Sequence, residues 1–245
     1  MLNRTLLTLL LASLSLPASA DLQVNATRVV HEQGSTAATS IRVRNIGSDP
    51  SLIQAWVDQG NGELPLEALR TPYFVTPPLF RLDAGKTRDI QIREAETRTL
   101  PTDRESLLWL NIADVPARTT GANAPTLEFA MRWRLKVFHR PAGLTGSPEE
   151  APAALRWSVR TNATGQIALH VTNPTPYFVS LADLKLGALA LSIEADRAQV
   201  PPFGEWSRTL PEKPSVPANA LDVKMTWVDD TGIEHSAQRP LDLSH

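Results

Sequence analysis

The sequence predicts an all-β protein built as two antiparallel β-sandwich domains in tandem. Three observations lead there. Short segments alternate apolar and polar residues with a period of two, breaks rich in proline, glycine and polar residues separate them, and no segment sustains a convincing helical repeat. Composition agrees: proline supplies 20 and glycine 12 of the 245 residues. Those shares, about 8% and about 5% against usual values near 5% and 7%, favour extended segments, edges and turns over long helices. With 42% hydrophobic and 20% charged residues, the chain has material enough for packed cores.

Residues 1–20, "MLNRTLLTLLLASLSLPASA", carry one cation near the start, an apolar run from Leu6 to Leu16 and the A-x-A motif Ala18-Ser19-Ala20. This is the pattern of a cleaved signal peptide, with the mature chain expected from Asp21. The run falls short of the ~20 residues that span a bilayer, so export without membrane insertion is expected. Removing Arg4 takes the formal net charge from −2 to about −3, which recruits neither nucleic acid nor an anionic membrane. The absence of cysteine excludes disulfides, thiol nucleophiles and thiolate metal ligands.

In the first domain, expected over 21–141, "ATSIRVRN" (38–45) alternates Ile41 and Val43 with Arg42 and Arg44. "SLIQAWVDQ" (51–59) sets Ile53, Ala55 and Val57 against Gln54, Trp56 and Asp58, and "TRDIQIRE" and "LLWLNIADV" continue the pattern. "IGSDP", "QGNGELP" and "TPP" are the breaks. "FAMRWRLKVFHRP" (129–141) is unusual: Leu127, Phe129, Met131, Trp133, Leu135 and Val137 form one apolar ridge, and Arg132, Arg134 and Lys136 crowd the other face. Cations on an edge strand guard against aggregation, but such edges are short and weakly apolar, whereas this ridge runs about 36 Å. It suits strand addition, in which the backbone ladder supplies affinity and alternate side chains fill a partner's pockets.

"AGLTGSPEEAPAA" (142–154) reads as a connector into the second domain, expected over 142–245. There "LRWSVRTNATGQIALHVTN" and "DVKMTWVDDTGIEHS" each read as two strands around a turn, at Asn162–Gly165 and Asp229–Gly232. The leucines of "SLADLKLGALALSIEA" fit either the helical or the strand period.

Catalysis has one foothold, the Asp-Thr-Gly of "VDDTG" (228–232), which resembles the carboxylate loop of aspartic proteases. That chemistry needs two aspartates sharing a proton, and no second D-[TS]-G occurs; the same residues make good turn chemistry. The five histidines show no H-x-x-x-H spacing, and neither a G-x-S-x-G elbow nor a glycine-rich phosphate loop is present. The sequence therefore points to no enzyme, cofactor or metal.

"LPTDRESLLWLNIADVPA" (100–117) closely resembles the signature of the PapD-like periplasmic chaperones of the chaperone/usher pilus pathway, and "LKVFHRP" (135–141) follows it where that family has its subunit-binding strand. "TPPLFRLDAG" (76–85) and "NPTPYFVSL" (173–181) are similar to further family segments. The resemblance implies two immunoglobulin-like domains in an L-shaped or boomerang arrangement. It implies a periplasmic chaperone that lends a strand to an incomplete pilus subunit by donor-strand complementation and delivers it to an outer-membrane usher, without cofactors. Leu127, Phe129 and Met131 match the family's donor positions best, with Trp133 and Leu135 as extensions. Arg28 of "ATRVV" and Lys136 match its anchors for the subunit's C-terminal carboxylate. Glu105, Arg140 and Asp230 match an interdomain charge network.

The chain departs from some members in lacking a cysteine pair in the second domain. The segment between Pro116 and Leu127 is short, as in the subclass serving rod-like pili with adhesive tips. Two other readings stand beside this one: a secreted structural immunoglobulin-like module with a guarded edge at 127–138, and an aspartic peptidase using Asp230. An unoccupied donor strand would also promote self-association.

Overall fold

A computed structural model describes residues 22–35, 39–60, 65–95, 100–116, 130–161, 165–194, 197–211 and 222–241. The leader, Leu127, Phe129 and the segment joining Pro116 to them lie outside the described residues. The chain is almost entirely β, in two sandwiches.

In the first sandwich, one sheet contains β1 (Leu22–Val24), β3 (Thr39–Asn45), β5 (Tyr73–Thr76) and β7 (Thr87–Glu94), in the order β1-β3-β7-β5. The facing sheet contains β2 (Arg28–Glu32), β4 (Ser51–Asp58), β6 (Leu79–Leu82), β8 (Ser106–Pro116) and β9 (Met131–Arg140), in the order β2-β9-β8-β4-β6. Period-two alternation buries Ile41, Val43, Ile90 and Ile92 from one sheet against Ile53, Ala55, Val57, Leu108, Leu110, Ile112, Leu135 and Val137 from the other. Arg42 and Arg44 stay at the surface, and Arg42 pairs with Asp89 on the neighbouring strand.

Asp58 departs from its polar position in the sequence pattern. Its side chain is fully buried, accepts hydrogen bonds from Asn111 Nδ2 at 2.7 Å and from the Gly60 amide at 2.7 Å, and lies 3.4 Å from Arg134 Nη2. Arg134 in turn stacks over Trp109, 4.3 Å from the ring centroid, and this outer layer hides the carboxylate.

In the second sandwich, a short helix α1 (Ala151–Ala154) leads into β10 (Arg156–Thr161), which pairs with β11 (Ile167–Thr172) and through it with β15 (Glu205–Thr209). The other sheet joins β12 (Val179–Leu186), β13 (Leu189–Leu191), β14 (Gln199–Val200), β16 (Asp222–Val228) and β17 (Glu234–Pro240). Trp157, Leu169, Val171, Leu181, Leu184, Val223 and Met225 form its core. The ambiguous leucine-rich segment is thus β12 and β13. A register shift against β16 between Leu181 and Asp183 interrupts the alternation, which is why its leucines fitted two periods.

Candidate functional site

The site grows from the way β9 is held. From Met131 opposite Asp114 to His139 opposite Ser106, β9 pairs antiparallel with β8. On its other side β2 pairs with it in parallel only from Lys136 to Arg140. Among the described residues, no second strand pairs with Met131–Leu135 on the side away from β8, and a strand edge of this kind suits the addition of a further strand.

The apolar ridge divides along this strand. Leu135 is 3% exposed and Val137 fully buried, both within the sandwich's own core, and Trp133 packs partly against it. Leu135 is thus not a donor to a partner, since its side chain already fills this chain's core. Met131 is 46% exposed. Leu127 and Phe129 lie outside the described residues.

Where β2 begins to cover β9, Arg28 and Lys136 are direct partners in the parallel ladder, so both side chains leave the same outer face. Arg28 Nη1 donates to the Val228 carbonyl of the second domain at 2.7 Å, and its guanidinium lies 6.0 Å from the Phe138 ring centroid. Arg28 Nε is buried and makes no hydrogen bond. Burial lowers the arginine's pKa, against the opposing pull of Asp230 and Asp229. Arg28, Phe138, Val228, Asp229 and Asp230 line a small cleft between the domains, together with Glu105, Phe178 and Trp227, and Lys136 stands beside Arg28 outside that lining.

Above the cleft, Arg140 joins the domains. Its Nε donates to Glu105 Oε1 at 2.7 Å, and its Nη1 lies 2.8 Å from Asp230 Oδ2. The other Glu105 oxygen accepts the Phe178 amide at 2.8 Å, while the Glu105 amide donates to the Pro176 carbonyl at 2.9 Å. Burial raises the pKa of Glu105 despite Arg140 and the Phe178 amide. Burial also works against the Arg140 charge, but Asp230 and Glu105 outweigh it and hold the guanidinium firmly protonated.

The two aspartates of "VDDTG" divide their tasks. Asp229 turns inward on its own hairpin, where Oδ1 accepts from the Thr231 amide and hydroxyl and the Ile233 amide, and Oδ2 meets His235 Nε2 at 2.7 Å. Asp230 faces Arg140. The hairpin approaches β2 closely: Gly232 has φ +89°, and a Cβ there would lie 2.8 Å from Thr27 Oγ1. One aspartate stabilises a turn and the other is ion-paired, so the two share no proton as a peptidase dyad would.

Sequence reasoning missed two groups. Asp58 was signalled only by the Gly60 that follows it, whose amide it accepts in a side-chain turn. His31, Glu94 and His139 come together from three strands, and no local spacing announces them.

Comparison with known proteins decides the family. The profile described as "Pili and flagellar-assembly chaperone, PapD N-terminal domain" matches residues 21–145, and "Pili assembly chaperone PapD, C-terminal domain" matches 150–239. The chain belongs to the PapD-like pilus assembly chaperones. It is 41% identical over 182 residues to the chaperone protein FimB/FhaD of Bordetella pertussis, covering 73% of this chain and 72% of that one. To the probable fimbrial chaperone YadV of Escherichia coli it is 36% identical over 189 residues, 76% of each chain.

Among solved structures, the YadV chaperone superposes with a TM-score of 0.72 at 32% identity, over 89% of this chain and 100% of that one. A structure of the Salmonella enterica SafA pilin in complex with the SafB chaperone gives a TM-score of 0.76 at 28% identity, over 92% and 99%. As a family these are chaperones, not enzymes, which answers both the peptidase and the structural-module readings.

Proposed function

We propose that this chaperone works in the periplasm, captures an incomplete pilus subunit by lending β9 as the strand it lacks, and passes it to an outer-membrane usher. The observation that carries the reading is the buried, unbonded Nε of Arg28, directly opposite Lys136 where the open edge of β9 meets β2. A carboxylate there would receive charge-assisted hydrogen bonds in a cleft that is partly shielded from water. In the SafA–SafB complex a pilin is bound to a chaperone of this fold.

The anchor sets the register. A subunit strand added along Met131–Leu135 and the segment before it gains a backbone ladder, and slipping by one residue would turn its pockets away from the ridge. Leu127, Phe129 and Met131 then fill the subunit's groove, each contributing roughly 1.5–3 kcal/mol by transfer. Glu105, Arg140 and Asp230 fix the angle of the cleft. Release comes by exchange with the next subunit's own strand, without nucleotide.

The test is to isolate the protein from the periplasm of its host and identify what travels with the wild type and with Lys136→Ala. A small β-rich subunit bound to the first and absent from the second is expected. The same subunit on both proteins, or on neither, overturns the anchor.

A further inference from the structure

His31 and His139 are direct partners in the β2–β9 ladder, so both side chains leave the face opposite to Arg28 and Lys136, towards the facing sheet. Their rings stack with centroids 6.1 Å apart and planes inclined by 20°. From the facing sheet β7 brings Glu94, whose Oε2 lies 3.8 Å from His31 Nε2. One ligand atom from each of the three lies within 4.8 Å of the other two.

The second ring nitrogen matters as much. His31 Nδ1 is 2.8 Å from the Thr39 hydroxyl on β3, and His139 Nδ1 is 2.6 Å from the buried Tyr73 hydroxyl on β5. Each imidazole can donate its Nδ1–H to a hydroxyl and keep the Nε2 lone pair for a cation. This is the outer-shell arrangement that fixes tautomer and ring orientation in histidine metal sites.

The geometry points to a divalent transition-metal site formed by His31, His139 and Glu94, with zinc the best matched ion. Two imidazoles and one carboxylate are a borderline donor set that suits zinc and disfavours calcium and magnesium, which prefer all-oxygen shells. At bonds of about 2.0–2.1 Å a tetrahedral site needs donors roughly 3.4 Å apart. The His31–Glu94 pair at 3.8 Å is near that already, and the other separations, within 4.8 Å, close by small shifts of the partly exposed Glu94 and of the His31 ring. Three protein ligands leave one position for solvent. A bound ion would tie β2 and β9 to the facing sheet, next to Arg140, and so brace the strand that carries the binding edge.

The experiment uses the full chain without an added histidine tag, stripped of metal by chelator, and titrates it with zinc chloride in a calorimeter and with cobalt chloride in a spectrophotometer. One-to-one saturable zinc binding is expected, with visible cobalt bands of a four-coordinate site that zinc abolishes. His31→Gln and Glu94→Gln should each weaken zinc at least tenfold; Glu94 is exposed enough for its variant to fold normally. Tyr73→Phe, which removes only the orienting hydroxyl, should cost about 10- to 100-fold and alter the cobalt spectrum. His235→Gln should change nothing. No saturable binding, or binding untouched by His31→Gln and Glu94→Gln, or binding lost in His235→Gln, overturns the site.

Discussion

Arg140 Nη1 of the first domain and Asp230 Oδ2 of the second stand 2.8 Å apart, and the same guanidinium holds Glu105 at 2.7 Å. The two contacts are unequal, because Glu105 is 2% exposed in its side chain and Asp230 is 35% exposed. Arg140→Ala strands a buried carboxylate that keeps, among the described residues, the Phe178 amide as its hydrogen-bond donor, a loss of about 3–5 kcal/mol. Asp230→Asn removes a half-exposed partner and should cost no more than about 1 kcal/mol. Urea unfolding of the two variants should show this ranking; equal losses would mean that Glu105 is not the buried member of the network.

Arg28 and Lys136 yield a second prediction. Since one lies opposite the other on the outer face and neither belongs to the core, Arg28→Ala should cost no more than its Val228 hydrogen bond, about 1 kcal/mol, and both it and Lys136→Met should stay folded yet fail to capture a subunit. A subunit with its C-terminal carboxylate amidated should be refused by the wild type to the same degree. Native gel mixing checks both. Capture of the amidated subunit would assign the affinity to the ridge alone.

Much of the fold was legible because period-two alternation reports directly on a sheet with one dry face, as at Ile41 and Val43 or Ile53, Ala55 and Val57. What the pattern does not report is how far along a strand that face stays dry. Leu135 and Met131 share a face of β9, yet one is inside the chain's own core and the other is outside it. The difference depends on where β2 and the facing sheet end. Asp58 escaped because its burial comes from Arg134 and Trp109 folding over an outer face. The pair His31 and His139 escaped because a parallel ladder between distant segments leaves no local spacing to read. The Glu105, Arg140 and Asp230 positions were legible through resemblance, not through pattern.

Asp229 carries a pH signature. The His235 hydrogen bond, followed by the Thr231 hydroxyl and the Ile233 and Thr231 amides, holds its pKa well below the usual carboxylate range. A depressed carboxylate stabilises the fold fully above the unfolded value near 4, and loses that contribution as pH falls through the lower folded value. The wild-type melting temperature should therefore drop below about pH 4, and Asp229→Asn should be less stable at neutral pH with a shallower acid limb. Parallel acid limbs in the two proteins would show that the turn does not depend on the carboxylate's charge.

The divided ridge yields the last prediction. Met131→Ser changes a side chain that is half in water, so the fold should stay within about 0.5 kcal/mol of wild type. Subunit affinity should fall by at least about tenfold, since the transfer of a methionine side chain into a groove is worth about 1.5–3 kcal/mol. Leu135→Ala empties a core position and should destabilise the fold by about 2–5 kcal/mol. At a temperature where that variant remains folded, its affinity should stay close to wild type, because residue 135 faces inward. Melting curves and subunit titrations on the two proteins separate the roles. If Leu135→Ala weakens capture while leaving the melting temperature unchanged, the boundary between core and donor strand lies closer to Lys136 than the packing of β9 indicates.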